Sequence, residues 1–253
     1  MSTNESQPTP EKAPAFDFPA EVKALLNLDN FKLAPVLDAQ AQAALLRPND
    51  RLSNAIENSK ANGLPPINVQ PMSGQHLSLL AQFTGAKSVL EIGTLGGYSS
   101  IVFAQAGAKV TSVEINAKHR DVALQNTKGL DVDIILGAAL DVMPKLYEEG
   151  RQFDMVFIDG DWESLPEEFD WAVKLTRVGG CILLDDVVPA MLLQEAKKGG
   201  LDVATAKMEG ENVITKIGKD ERVQAALMST VGTHPMIPTP AYTGFILAIV
   251  KSH

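Results

Sequence analysis

The chain has 253 residues, 45% of them hydrophobic, and a formal net charge of −9, which suits one large domain with a full core and does not require two. That acidic balance argues against a nucleic-acid partner, since neutralising phosphates needs a basic face, and no apolar run or basic-then-apolar leader marks a membrane span or a secretory signal. The single cysteine, Cys181, excludes an internal disulfide and favours a reducing, cytoplasmic setting, and four scattered histidines give no His-rich zinc site.

Residues 1–19 are polar and proline-rich, with almost no large apolar residue before Phe16, and read as a flexible leader. From Ala20 to Ala61 the apolar spacing turns helical, through Val22, Leu25, Leu26 and Leu28 and then Val36, Leu37, Leu45 and Leu46, with breaks at Pro35 and Pro48. These helices are candidates for a lid or a subunit contact. A turn at Gly63-Leu64-Pro65-Pro66 leads to a helix capped by Ser73 and ended near Gly85, with Leu77, Leu80 and Phe83 expected to face inward.

Strands are expected near Ser88–Ile92, Lys109–Val113, Val132–Leu136, Asp154–Ile158 and Gly180–Leu184, each followed by a helical pattern. Such alternation implies a parallel sheet covered on both faces. Two further β-rich runs, Val223–Thr230 and Gly244–Val250, suggest an antiparallel hairpin at the sheet edge. The long loop between them, Val231–Thr243, carries Pro235, Pro238 and Pro240 and is expected to cover a substrate or a neighbouring subunit. The expected class is α/β, with a doubly wound, mostly parallel, seven-stranded Rossmann-like sheet. One domain spans 20–253: N-terminal helices at 20–61, a core at 63–188, and a C-terminal helix and hairpin at 189–253.

The core begins with a strand ending in Glu91, a turn holding Gly93, Gly96 and Gly97, and the first turn of a helix. Glycines let the backbone approach a ligand without a Cβ in the way, and the helix start presents unpaired N–H groups to it. A dinucleotide fingerprint would need glycines where Leu95 and Tyr98 stand, so an adenosine ligand without phosphates fits better. Glu114 ends the second strand, the expected place for a carboxylate that accepts both ribose hydroxyls. After the third strand, Gly137-Ala138-Ala139 is small enough to pass beside an adenine ring. The fourth strand ends in Asp159 and Asp161 and the fifth in Asp185 and Asp186. Four acids at adjacent strand ends repel one another unless a cation sits among them, and hard oxygen ligands suit Mg²⁺, Mn²⁺ or Ca²⁺.

The run from Glu91 to Gly97 resembles the first motif of S-adenosylmethionine (SAM) dependent methyltransferases. With the strand-end acids, the chain resembles the cation-dependent O-methyltransferases, the group of the catechol and caffeoyl-CoA enzymes, specifically over about Gly63 to Val188 and more loosely over the hairpin. The resemblance implies a class I methyltransferase fold and SAM contacts at Val69, Glu91, Gly93, Gly97, Ser99, Glu114, Ala138, Asp159 and Asp161. It implies a metal triad of Asp159, Asp185 and Asp186, with Mg²⁺ as the first choice, catalytic roles for Asp159 and Asp161, and a homodimer. Two positions depart from the family pattern: Asp186 stands where Asn is usual, and Trp162 stands where a Lys usually serves as base.

The implied reaction moves the sulfonium methyl of SAM to one hydroxyl of a small vicinal aromatic diol of catechol, hydroxycinnamate or flavonoid type. Without the Lys, metal acidification suffices, or water or Asp161 accepts the proton. Three readings compete. They are a nicotinamide dehydrogenase, opposed by Leu95 and Tyr98, a SAM-binding protein with little or no catechol activity, and a metal-independent methyltransferase.

Overall fold

The computed structural model describes residues 19–20, 28–197, 210–234 and 237–253. Most of the expected leader, the Val22, Leu25 and Leu26 spacing and Pro235 lie outside these residues. Among the described residues, β1 (Ser88–Ile92), β2 (Lys109–Glu114), β3 (Val132–Leu136), β4 (Phe153–Ile158), β5 (Thr176–Leu184), β6 (Val223–His234) and β7 (Ile237–Val250) form one sheet in the order β3-β2-β1-β4-β5-β7-β6. The first five strands pair in parallel, and β7 runs antiparallel to both β5 and β6. No helix of the described residues is long and apolar enough to cross a membrane.

The helices are α1 (Ala34–Leu45), α2 (Asp50–Ala61), α3 (Pro71–Phe83), α4 (Tyr98–Gln105), α5 (Ala117–Asn126), α6 (Ala139–Glu148), α7 (Leu165–Leu175), α8 (Val187–Lys197) and α9 (Val213–Gly218). Strand side chains alternate between faces, and the central strands are apolar on both. Leu90, Ile92, Val156, Ile158, Ile182 and Leu184 pack one face against Phe169 and Val173 of α7. Val89, Met155, Phe157 and Leu183 pack the other against Leu77 of α3 and Phe103 of α4. Glu91 lies on this second face, buried at the level where the core gives way to the loops.

Register does the positioning. Ile92 is paired with Val113 and Ile158, and Ile158 with Leu184. The next backbone groups continue the ladder: Gly93 N–H donates to the Val113 carbonyl, Asp159 N–H to Ile92 and Asp185 N–H to Ile158, each at 2.9 Å. Glycine turn and acids therefore emerge side by side at the carboxyl ends of the strands, where ligands of open α/β sheets bind.

Three expectations change. Helix α3 starts at Pro71 with Gln70 as its N-cap, so Ser73 lies inside the helix and does not cap it. A proline opens this helix with its fixed φ and with no N–H to satisfy. Its buried stripe is Gly74, Leu77 and Ala81, and Phe83 is 83% exposed because it falls on the opposite side of the turn. Strand β5 begins at Thr176, ahead of the expected Gly180, through a register irregularity opposite Phe153 and Met155.

The long loop expected at Val231–Thr243 is instead mostly strand. Pairing continues through Thr230 with Thr243, Val231 with Tyr242 and Gly232 with Ala241, and closes at His234 with Ile237. Strand β5 pairs with β7 only from Ile246 to Ile249, so the hairpin overhangs the sheet. In this overhang β7 has one neighbour, and prolines are tolerated where a strand has a free side. The overhang meets α1, where the Thr233 hydroxyl donates to Asp38 Oδ2 at 2.9 Å.

Candidate active site

Gly93 adopts φ +89, and a Cβ added there would run into the carbonyl oxygen of Asp159. The turn is pinned by Glu114, buried at the end of β2: Thr94 N–H and Leu95 N–H donate to its Oε2 at 3.2 and 2.8 Å, and Asn116 N–H to its Oε1 at 2.8 Å. Leu95 takes φ +49, a conformation uncommon outside glycine, asparagine and aspartate. The Glu114 bonds hold it there. Gly97, at φ +79, caps α4 with no side chain, which leaves the first-turn N–H groups of the helix without a capping side chain. Sequence reading assigns Glu114 to ribose hydroxyls; here its Oε2 anchors the glycine turn and its Oε1 the Asn116 N–H, and a carboxylate oxygen has room for a second donor.

Glu91 is fully buried beneath this turn. The hydroxyls of Ser100 and Ser112 donate to its Oε2, while Oε1 has no partner and no solvent. Burial pushes its pKa above the usual carboxylate range, against the pull of Ser100, Ser112 and Ser99. A buried acceptor left unpaired is destabilising by roughly 1–3 kcal/mol. The open glycine cradle, the uncapped helix start and this orphaned oxygen together fit a bound adenosine-type donor. Ser99 is buried in the first turn of α4, Ala138 is the N-cap of α6, and Val69 is half-buried against the core just before α3.

The acids lie one step along the same edge. Burial, then the charges of Asp185, Asp186 and Glu91, push the Asp159 pKa well up. Burial and Asp186 raise that of Asp185. Asp186 adopts φ +54, the left-handed region that Asp and Asn enter more readily than other side chains, and its N–H donates to Asp185 Oδ1 at 2.8 Å. Among the described residues, no three His, Cys, Asp or Glu side chains are arranged as an ion cage. The structure thus brings Asp159, Asp185 and Asp186 into one another's field without closing a three-ligand set. The donor chemistry, three half-buried carboxylates on adjacent strand ends, fits a hard cation.

Asp161 is exposed on the loop after β4. The Ser164 hydroxyl lies 3.3 Å from its Oδ2 and 2.9 Å from Glu168 Oε1. Trp162, at the usual Lys position, donates its indole Nε1–H to Asp186 Oδ2 at 3.3 Å.

Sequence reading misses Glu168. It is 3% exposed, its Oε2 has no partner, and burial raises its pKa to about 7. It sits directly under Gly160, where a Cβ would come within 3.3 Å of its carboxylate. A signal existed: Leu165, Glu168, Phe169 and Ala172 form a continuous apolar helical stripe in which Glu168 is the one polar member.

Against proteins already known, the model of the family described as O-methyltransferase matches residues 47–234. An O-methyltransferase, imqG, of Aspergillus flavus is 34% identical over 219 residues, covering 81% of this chain and 85% of that protein. A catechol O-methyltransferase of Niastella koreensis is 36% identical over 212 residues, covering 80% and 91%. The crystal structure of an O-methyltransferase from Bacillus cereus in complex with SAH superposes with a TM-score of 0.73 at 32% identity, covering 87% of this chain and 100% of that one.

Proposed function

Because the chain belongs to the O-methyltransferase family and is a SAM-dependent O-methyltransferase, we propose that its acceptor is a vicinal aromatic diol held against a divalent cation. The reading rests on the register that sets Asp159 and Asp185 beside Gly93 at adjacent strand ends, with Asp186 next in the chain.

In this reading, the glycine turn, Glu91, Ser99, Glu114, Ala138, Val69 and Asp161 hold the donor, whose sulfonium supplies the methyl group. Asp159, Asp185 and Asp186 hold the cation, Mg²⁺ first and Mn²⁺ or Ca²⁺ as substitutes. When bound, such an ion acidifies a chelated hydroxyl whose free pKa is near ~10. The chain's own residues supply orientation. Fixed strand-end carboxylates present the acceptor on a rigid edge, and the core closes its inner side to water. The Trp162 indole has no basic nitrogen, so the released proton goes to water or to the exposed Asp161 carboxylate. We also propose a homodimer, since α1 exposes Val36, Leu37 and Leu45 and the edge strand β6 exposes Leu227 and Met228. A reducing cytoplasmic setting suits the single buried Cys181.

The test is methyl transfer from labelled SAM to 1,2-dihydroxybenzene, caffeic acid and quercetin, with Mg²⁺, with Mn²⁺ and with excess chelator. Product only in the presence of metal is the expected result. Product that survives chelation would remove the metal triad and leave the donor site standing. SAM binding with no product from any diol would remove the diol.

A further inference from the structure

A groove of about 430 Å³ opens between the start of α7, helix α8 and helix α9, a size that accommodates a small organic molecule. Its apolar lining includes Trp162, Leu165, Ala190, Met191 and Leu193. Trp162 belongs to both places, because it lines the groove while its Nε1–H donates to Asp186 Oδ2 at 3.3 Å. None of the strand-end acids lines the groove, and Trp162 is the side chain that links it to Asp186.

Its charges are already matched. Lys197 Nζ pairs with Glu163 at 2.6 Å and Lys216 Nζ with Glu167 at 3.2 Å. The remaining charged lining residue, Glu211, is itself paired with Lys219. Both lysines of the lining are engaged by carboxylates, so nothing here is poised to take a phosphorylated group. Apolar side chains interspersed with paired charges suit a flat, uncharged ring system, which an indole can stack against.

We propose that this groove receives the part of the acceptor remote from its diol, that Trp162 is its specificity-determining residue, and that the preferred acceptor is an extended planar polyphenol of the flavonoid kind, with simple catechols and CoA thioesters disfavoured. This rests on the diol reading above. The indole N–H bond to Asp186 fixes the ring at the groove mouth, so that one end of the acceptor meets the acids while the other lies along Trp162.

The experiment compares quercetin, 1,2-dihydroxybenzene and caffeoyl-CoA as methyl acceptors in three proteins: the unmodified protein, Trp162→Leu, which removes the ring, and Leu193→Trp, which fills the groove from α8. Leu193 and Trp162 are 41% and 39% exposed, so both changes spare the core. The expected result is that kcat/KM for quercetin, relative to 1,2-dihydroxybenzene, falls about tenfold in both variants, equivalent to about 1.4 kcal/mol. An unchanged ratio in both variants, or caffeoyl-CoA as the best acceptor of the unmodified protein, would overturn the proposal. A fall in Trp162→Leu alone would overturn it too, because the indole would then act only through Asp186. A binding measurement separates this from failure of the diol reading. With Trp171→Phe, Trp162 is the sole tryptophan, and its fluorescence, corrected for absorbance, reports binding without turnover. Quenching by quercetin at lower concentration than by 1,2-dihydroxybenzene, with no methylation, keeps the groove and discards the reaction. No quenching discards the groove.

Discussion

At residue scale, Glu168 carries the clearest consequence for stability. Its carboxyl, buried with Ser164 as donor to one oxygen and nothing on the other, has a pKa raised to about 7. Because the folded value lies above the unfolded one, the folded protein binds more protons between about pH 4.5 and pH 7, and its contribution to stability is lost as pH rises through that window. Glu168→Gln keeps the shape and the capacity to bond Ser164 but removes the ionisation. Urea unfolding at pH 5 and pH 8 is expected to show the unmodified protein losing on the order of 2 kcal/mol more than the variant between these pH values. An equal loss in both would place the pH dependence elsewhere. Glu168 also marks where sequence reading ran short. Strand-end acids stand out because each ends an apolar run, whereas an acid in the first turn of a helix looks like ordinary dipole pairing. Only its place in the apolar stripe distinguishes it.

At the scale of elements, the glycine turn depends on helices that sequence reading treats as separate from it. Asn126, the last residue of α5, donates its side-chain N–H to the Gly96 carbonyl at 2.8 Å and lies 3.3 Å from the Ala55 carbonyl of α2. A Cβ at Gly96 would collide with Ser59 of α2, so α2 packs directly on the turn. Asn126→Ala is expected to weaken SAM binding on the order of tenfold, the equivalent of one hydrogen bond, and to lower the thermal midpoint; calorimetry would check both. A lowered midpoint with unchanged SAM affinity would make Asn126 a packing residue only. The parallel strands were legible because buried strands read as apolar runs. The start of α3 and the reach of the two hairpin strands into the expected loop were not. Proline punctuation there has two readings, helix opening or loop, and the second was right neither at Pro71 nor at Pro238 and Pro240.

At the scale of the molecule, β6 is an edge strand with Leu227 and Met228 exposed at 40% and 49%. An exposed apolar edge is a template for pairing with another chain, and a two-fold arrangement would satisfy it in both copies. Light scattering on the unmodified protein is expected to give a dimer, and Leu227→Lys with Met228→Lys is expected to give a monomer of unchanged circular dichroism. A monomeric unmodified protein would withdraw the homodimer. The placing of the glycine turn and the acids at strand ends was readable, because each ends an apolar run that forms a buried strand. Side-chain pairing between distant segments, such as Trp162 with Asp186, leaves no periodic trace.

The bond from Thr233 to Asp38 joins positions 195 residues apart. During synthesis, α1 leaves the ribosome long before the hairpin exists, so Asp38 waits for its Thr233 partner until β6 is made. Helix α1 is thus made well before the contact that ties it to the hairpin can form. Contacts of such long separation form late because the chain between them must order first. A stop codon ahead of β6 would therefore remove a contact of helix α1, nearly two hundred residues upstream.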